Sequence, residues 1–350
     1  MAGLLIAAVP GMADDDEEGD NAASRIERAE AALERHDYKV AAWEYRKAAE
    51  ISSRPEVAQQ ATRVAYSFGF DRDALASAKR WVLLDKSSDE ALLYVALLQL
   101  RTDDIWDSRR SFRQLLKQSD EPPEDRLVAL IPFLSQEDPD KADRLMRQLA
   151  RPYKDSSQAH YAVAVMAMQS GDLDEAKKRA RKAIELDDEW IKPHLVYARS
   201  LLLDGDQDGA IDYTARLIGD SPDPDPEARL ELALMLLSAD RDDDALSQVN
   251  QILLEQPSRT DALRLMAIIN FRLERLDAAE ADFEDLLATG RYTMDALYYL
   301  GRIADINEEH ERAIQLYSQV VQGSNAVLSQ RRASGIMSQN GDDEAALQHL

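Results

Sequence analysis

Ten small residues recur along this chain at a spacing of 33 to 35: Ala41, Ala74, Ser108, Ala142, Ala176, Ala210, Ala245, Ala279, Ala313 and Ala346. Self-similarity near 34 residues is the mark of a helix–turn–helix solenoid, in which each unit buries its apolar face only against its neighbours. Four residues after each member stand Tyr45, Ala78, Phe112, Met146, Ala180, Thr214, Val249, Phe283, Tyr317 and Leu350. Seven after it come Ala48, Trp81, Leu115, Leu149, Ala183, Leu217, Ile252, Leu286 and Val320. Offsets of 0, 4 and 7 form one face of a helix, so the column marks the second helix of every unit.

A second small column precedes the first by twelve residues: Ala29, Thr62, Ala96, Ala164, Ala198, Ala233, Ala267, Gly301 and Ser334. Two helices approach closely where both present small side chains, and these positions supply that contact. Leu130 breaks the second column, so the fourth unit is expected to pack less regularly. Five residues before the main column lie Gly69, Gly171, Gly205 and Gly341, with Asp103 and Asp240 elsewhere. Glycine ends a helix in a left-handed conformation, and Asp is a frequent cap for the next helix.

The turn Gly171-Asp172-Leu173-Asp174-Glu175-Ala176, the run Ala313 to Tyr317, and "LYYLGRIA" at Leu297 to Ala304 resemble tetratricopeptide repeats. The resemblance covers about Ala22 to Leu350. It implies an all-α fold, a right-handed superhelical α-solenoid of about ten helix–turn–helix units. The units fall near 22–54, 55–88, 89–122, 123–156, 157–190, 191–225, 226–259, 260–293, 294–325 and 326–350, the last incomplete. The family's first-helix Trp is missing from every unit, and its closing Pro is kept only at Pro222 and Pro257. Trp43, Trp81, Trp106 and Trp190 stand elsewhere and read as packing residues.

Composition agrees with an array. Aromatics are only 6% of 350 residues, as expected where Ala and Leu pack helix on helix, and there are few Gly and Pro to form linkers. The net charge of −24 argues against nucleic acid, whose phosphates need a basic footprint, and against an anionic membrane surface. Residues 1–21 differ: an apolar run from Leu4 to Val9, then Pro10-Gly11-Met12-Ala13, then an acidic run from Asp14 to Asp20. This is signal-like, although without a basic n-region, and predicts export to the periplasm or cell envelope, the alternative being a cytoplasmic chain. The run is too short to span a bilayer. A chain with no cysteine fits an oxidising compartment and carries no lipidation thiol, so any membrane anchor is not visible in it.

A search for chemistry finds no catalytic constellation, metal site or cofactor motif. There is no Gly-rich phosphate loop and no nucleophile elbow. The five histidines, His36, His160, His194, His310 and His349, are scattered over different repeats. His160 and His194 hold equivalent positions in adjacent units, and packing is the favoured role for both. Asp204 to Asp212 matches the first nine positions of a calcium loop, but position 12 is Ala215, and Ala210 belongs to the column. The segment reads as a repeat turn.

What remains is surface. By the resemblance, the second, fifth, ninth and twelfth positions of each unit line a concave groove. They are Leu93, Leu97 and Leu100 in the third unit; Tyr161, Val165 and Met168 in the fifth; Leu195, Arg199 and Leu202 in the sixth. The seventh supplies Leu230, Leu234 and Leu237, the eighth Arg264, Ile268 and Phe271, and the ninth Tyr298 and Arg302. A face this apolar is either a binding groove for a polypeptide, with the three arginines pairing its acidic groups, or ordinary core. The stretch Arg25 to Ala65, "YYLGRIADINEEHERAIQLYSQVVQG" at Tyr298 to Gly323, and the following Arg331 and Arg332 resemble long bacterial envelope repeat proteins. Some of these are lipoprotein adaptors that deliver cell-wall hydrolases to a carboxy-terminal processing protease. The expectation is a non-enzymatic scaffold binding proteins or peptides; the alternative is a recruiting region of a larger enzyme whose catalytic part lies beyond residue 350.

Overall fold

A close approach of two helices is directly visible at the polar members of the two small columns. Ser108 Oγ donates to the carbonyl of Ala96 at 2.8 Å, and Ser334 Oγ to that of Ala346 at 2.9 Å. Only a small side chain lets one helix backbone come within a hydroxyl's reach of another. The computed structural model describes residues 21–118, 121–341, 343, 344 and 346. The signal-like stretch and the chain's last four residues lie outside them.

The described residues are helical with no strand. In chain order the helices are α1 (Ala22–Glu34), α2 (Tyr38–Ile51), α3 (Pro55–Ser67), α4 (Asp71–Leu84), α5 (Asp89–Arg101), α6 (Ile105–Gln118), α7 (Pro123–Ala129), α8 (Ile131–Leu134), α9 (Pro139–Ala150), α10 (Ser157–Gln169) and α11 (Leu173–Leu186). There follow α12 (Ile191–Leu203), α13 (Gln207–Gly219), α14 (Pro226–Ser238), α15 (Asp242–Glu255), α16 (Thr260–Arg272), α17 (Leu276–Ala288), α18 (Thr293–Ile306), α19 (His310–Ser318) and α20 (Ala326–Gln339). Contacts divide the chain into two compact units, Met1–Val196 and Tyr197–Leu350. Within each, helices pair in sequence order, α1 on α2 and α3 on α4 in the first, α14 on α15 and α16 on α17 in the second.

All ten residues of the main column are buried, and so are all ten of the column twelve residues earlier, Leu130 included. The positions four further on, from Tyr45 to Tyr317, are buried as well. One helix face therefore carries the packing of each unit, and alanine supplies much of it.

The turns between paired helices are repeated in atomic detail. The N–H groups of Asp37, Phe70, Asp104, Asp172, Asp206, Arg241, Arg275 and Glu309 each reach a carbonyl five residues back at 2.8–3.0 Å. This is the long bond of the Schellman motif, which needs a left-handed residue just before the donor. Gly69, Gly171, Gly205 and Gly341 take that conformation, and so do His36, Asp103, Asp240, Glu274 and Glu308, at φ of 55–63°. Left-handed backbone costs an L-residue about 1–2 kcal/mol. Packing of the flanking helices imposes it where the sequence lacks glycine.

The fourth unit departs as the misplaced leucine predicts. Pro132 has no N–H to offer the carbonyl of Val128, and its ring crowds that carbonyl, so the first helix breaks at Leu130 into α7 and α8. Its turn position, Glu137, is absent from the left-handed set. Glu137 instead is buried as the bidentate partner of Arg101, at 2.7 Å to both carboxylate oxygens. Arg101 also donates to Tyr66 Oη at 2.8 Å and lies 4.3 Å over the Tyr66 ring. The Glu137 hydrogen bonds are the largest cause raising its already high pKa further.

The four tryptophans do not share one role. Trp81 is buried in the core as expected. Trp106 is 77% exposed, with the Arg109 guanidinium 4.4 Å above its ring, and Trp43 is also exposed beneath Arg25. A polar second helix displays these two rings on its outer side, where arginine covers them.

Gly301 and Gly335 test the close-contact argument with opposite signs. A Cβ on Gly301 would sit 2.8 Å from the buried ring of Tyr317, whereas one on Gly335 meets nothing within 4 Å. Both lie inside helices, where Gly→Ala alone gains about 0.5–1 kcal/mol. Gly335→Ala is expected to raise stability by that amount, and Gly301→Ala to lower it by about 1–2 kcal/mol as overpacking outweighs propensity. Urea unfolding midpoints decide both.

Candidate functional site

Beside the broken helix of the fourth repeat lies a cavity of about 490 Å³. Its walls are apolar: Leu93, Tyr94 and Leu97 from α5, Leu115 and Leu116 from α6, and Ala129, Leu130 and Phe133 from the α7–α8 break. Tyr66 of α3 closes one side, held by its bond from Arg101. The break therefore contributes part of the cavity wall. Asp89, Glu90, Arg126 and Gln136 supply the polar groups. Asp89 accepts from Arg126 at 2.5 Å, and Glu90 accepts from Arg63 at 2.7 Å.

The expected groove positions divide between surface and core. Leu97 is 3% exposed, and Leu100, Val165 and Leu195 are buried too; the expectation that they face an open groove is corrected for these four, although Leu97 still forms cavity wall. Their helices, α5, α10 and α12, are apolar on nearly every side and are covered on nearly every side. Leu93, Tyr161, Met168, Leu202, Leu230, Leu237, Ile268, Phe271 and Tyr298 are half-buried, and Leu234 is 46% exposed. A row of partly exposed apolar side chains thus runs along the first helices within each unit.

The three groove arginines differ in their partners. Arg199 donates to Glu231 at 2.7 Å, and Arg264 to Asp295 at 2.7 Å, while Arg264 also lies 5.2 Å over the Tyr292 ring. Their guanidinium groups meet carboxylates of the chain's own next repeat, which corrects the expectation that both wait for a partner's acids. Arg302 has no carboxylate partner among the described residues; it caps the rings of Phe271 at 4.5 Å and of Tyr298 and Tyr299 at 5.9 Å.

His160 and His194 turn out to be a repeated clamp. His160 Nε2 donates to the Lys154 carbonyl at 2.8 Å, and His194 Nε2 to that of Asp188 at 3.0 Å, each tying a first helix to the loop six residues before it. A carbonyl can only accept, so the Nε2 atoms carry the proton. Arg179 Nη1 lies 3.3 Å from His160 Nδ1 and donates to it, which leaves that ring neutral. Burial, then the charges of Arg179 and Lys182, lower the His160 pKa against the raising effect of the Lys154 bond. At Asp204 to Asp212, Asp206 Oδ1 accepts from Gly209 N at 3.0 Å and α13 starts at Gln207, so this is a capped helix start. No group of three or more metal-ligating side chains occurs among the described residues.

Sequence models of the tetratricopeptide repeat match residues 133–189, 264–326 and 201–269. The chain is built of tetratricopeptide repeats. The repeats are similar in fold to PilF of Pseudomonas aeruginosa, at 17% identity over 55% of this chain and 88% of that one, with a TM-score of 0.48. A tetratricopeptide repeat protein of Parabacteroides merdae matches at 14% identity over 81% of this chain and 98% of that one, TM-score 0.41. YrrB, described as a repeat protein with an unusual peptide-binding site, matches at 15% identity over 63% and 96%, TM-score 0.35. No curated protein matches the sequence.

The residues that the groove positions overlook are Tyr66, Arg126 and Phe133. A signal for them exists in Pro132, two residues after the one bulky member of a small column. Two outcomes check this geometry. Leu234→Asp should leave the fold intact, whereas Leu97→Asp buries a charge and should lower stability by more than about 3 kcal/mol or abolish folding, as circular dichroism would register. For His160 the unfolded ring binds protons more readily than the folded one, so its stabilising contribution is complete above about pH 6.5 and is lost as pH falls below it. The loss is at most about 1.4 kcal/mol per pH unit. Urea midpoints at pH 7.5 and 5.5 should separate for the wild type and converge for His160→Gln.

Proposed function

We propose that this repeat protein is a non-catalytic scaffold that holds a polypeptide along its first helices and brings it to an envelope protease. Tetratricopeptide repeats imply protein or peptide partners, and one observation carries the reading to this face. Leu93, Tyr161 and Met168 in the first compact unit, and Leu230, Leu234, Ile268 and Tyr298 in the second, are apolar yet only partly covered. Apolar surface left partly uncovered in this way supports a binding role for the face. Arg302 over its aromatic cluster adds the residue types most enriched at binding hot spots.

The envelope part of the reading is supported by the apolar run Leu4 to Val9 followed by Gly11 and Ala13, and by the likeness of Arg25 to Ala65 and Tyr298 to Gly323 to envelope adaptors. Holding enzyme and substrate on one array raises their local concentration without new chemistry. A purified carboxy-terminal processing protease, given a cell-wall hydrolase as substrate, should cleave on the order of tenfold faster when this chain is added. The double variant Leu93→Asp with Leu234→Asp should remove that acceleration. Equal rates with and without the chain would refute the protease role; peptide capture that survives the double variant would refute the first-helix face.

A further inference from the structure

We propose that the exposed faces of α6, α9 and α11, with the loop after α9, form a basic track that docks an acidic stretch of a partner polypeptide. The proposal rests on the scaffold reading for its class of partner and adds a second contact, away from the first-helix row. All three helices belong to the compact unit Met1–Val196. The chain has 66 acidic residues against 42 Lys and Arg, and elsewhere its arginines repeatedly reach its own acids, as Arg272 and Arg312 do. Two recesses break that pattern. One, open and of about 460 Å³, is lined by Arg110, Arg113, Gln114, Lys117 and Gln118 of α6. The other, of about 330 Å³, collects Arg147 of α9, Arg151, Tyr153 and Lys154 just after it, and Arg179 of α11, over buried Ala159, His160 and Val163 of α10. No Asp or Glu lines either recess, although acids make up 66 of the chain's 350 residues. The recesses are neighbours. α6 packs on α9, with Arg109 Nη1 donating to Gln148 Oε1 at 3.0 Å. Burial and Glu124 raise the Tyr153 pKa and Arg113 opposes them, which places the Arg113 charge near that hydroxyl.

The nearby acids are mostly engaged. Asp107 meets Arg110 at 3.1 Å, and Asp143, Asp172 and Glu175 surround Arg147 at 2.8–3.7 Å. Glu175 also holds Arg179 at 2.7 Å. Arg113, Lys117, Arg151 and Lys154 are exposed and meet no carboxylate among the described residues. Against these four stand Glu124, which acts on Tyr153, and Asp155, which acts on His160. The local balance is therefore positive. In about 0.1 M salt, exposed charges more than about 10 Å apart are largely screened, so a ligand on the track meets this excess rather than the net charge of −24. The unpaired cations are spread over two recesses, and one small anion would engage only part of them. α6, α9 and α11 are second helices of successive repeats, and two helix spacings of about 8–10 Å make a track of about 20 Å. About six extended residues cover that length. Carboxylate is also the anion this face already recognises, since Arg147 and Arg179 hold three of the chain's own. Tetratricopeptide repeats imply protein or peptide partners, so an acidic polypeptide segment meets length, charge and partner class together.

The test uses the full chain and defined probes. A dye-labelled peptide with blocked ends and about six Glu between two Ser is titrated by fluorescence anisotropy in about 0.1 M salt. The same peptide with Gln for Glu is the control. The Glu peptide should bind and the Gln peptide should not. Arg113→Glu with Lys117→Glu reverses one recess, and Arg151→Glu with Lys154→Glu reverses the other. Each pair should weaken binding about tenfold or more. Arg291→Glu with Arg331→Glu makes the same change of charge on exposed positions of the second compact unit, and should leave affinity within about twofold. All six side chains are exposed, so circular dichroism spectra should match the wild type. Arg151→Gln with Lys154→Gln removes charge without adding repulsion, and should weaken binding about threefold. Binding that ignores both track pairs, or that falls equally in the control pair, would overturn the track. Oligothymidylate or inorganic phosphate bound through the track, without peptide binding, would make the occupant a nucleic acid or a small anion and overturn the proposal. Failure of the Glu peptide to bind would overturn it as well. The protease assay reads the first-helix face and would still judge the scaffold on its own.

Discussion

The structure depends on helix backbones brought close enough that only small side chains fit between them. Ser108 and Ser334 show the distance directly, since each hydroxyl reaches a carbonyl of the facing helix. Gly301 shows its limit, with no room for one methyl group beside the Tyr317 ring. Alanine at this contact gives up little side-chain entropy, and the apolar area buried per repeat is recovered by stacking neighbours rather than by a central core. Length can then grow by repetition, and binding surface grows with it.

Where the contact fails, the regular packing gives way. Leu130 cannot be accommodated as alanine is, and Pro132 two residues later cannot continue the helix. The fourth unit answers with a broken helix, a turn without the left-handed residue, and Glu137 drawn into the grip of Arg101. The ionic contact among Arg101, Tyr66 and Glu137 holds neighbouring repeats in register across this defect. Beside it lies an apolar recess of about 490 Å³ with polar groups at its rim. An irregular repeat in a regular array is thus the place where a site can form without disturbing the rest.

Charge is organised to the same end. The chain is strongly acidic, yet its arginines repeatedly reach acids about one repeat away. Arg272 meets Asp240 and Asp242, Arg275 meets Asp243, and Arg312 meets Glu280. Individually such exposed pairs contribute little, about 0–1 kcal/mol each. Collectively they hold many of the guanidinium groups inside the chain. That is why Arg199 and Arg264 are unsuited to greet a partner's carboxylates, and why Arg302, resting on aromatic faces, is the exception among the three.

The sequence by itself determined the periodic part of this protein. The spacing of Ala41 to Ala346 fixes helix pairs, their register and the buried face, because a small residue at a helix crossing is required by geometry and leaves its trace at every turn of the array. It even flagged the fourth unit. The tertiary structure alone decided which apolar positions are surface. Leu97 and Leu234 carry the same side chain at comparable places in their repeats, yet one is core and the other half-exposed, because exposure depends on what the neighbouring helices bring. The same holds for the left-handed turns at His36, Glu274 and Glu308, imposed on residues that would not choose them, and for the arginine partners. Periodicity is a local property and survives in the sequence. Coverage is a property of neighbours about 34 residues away, and it exists only once they are folded together.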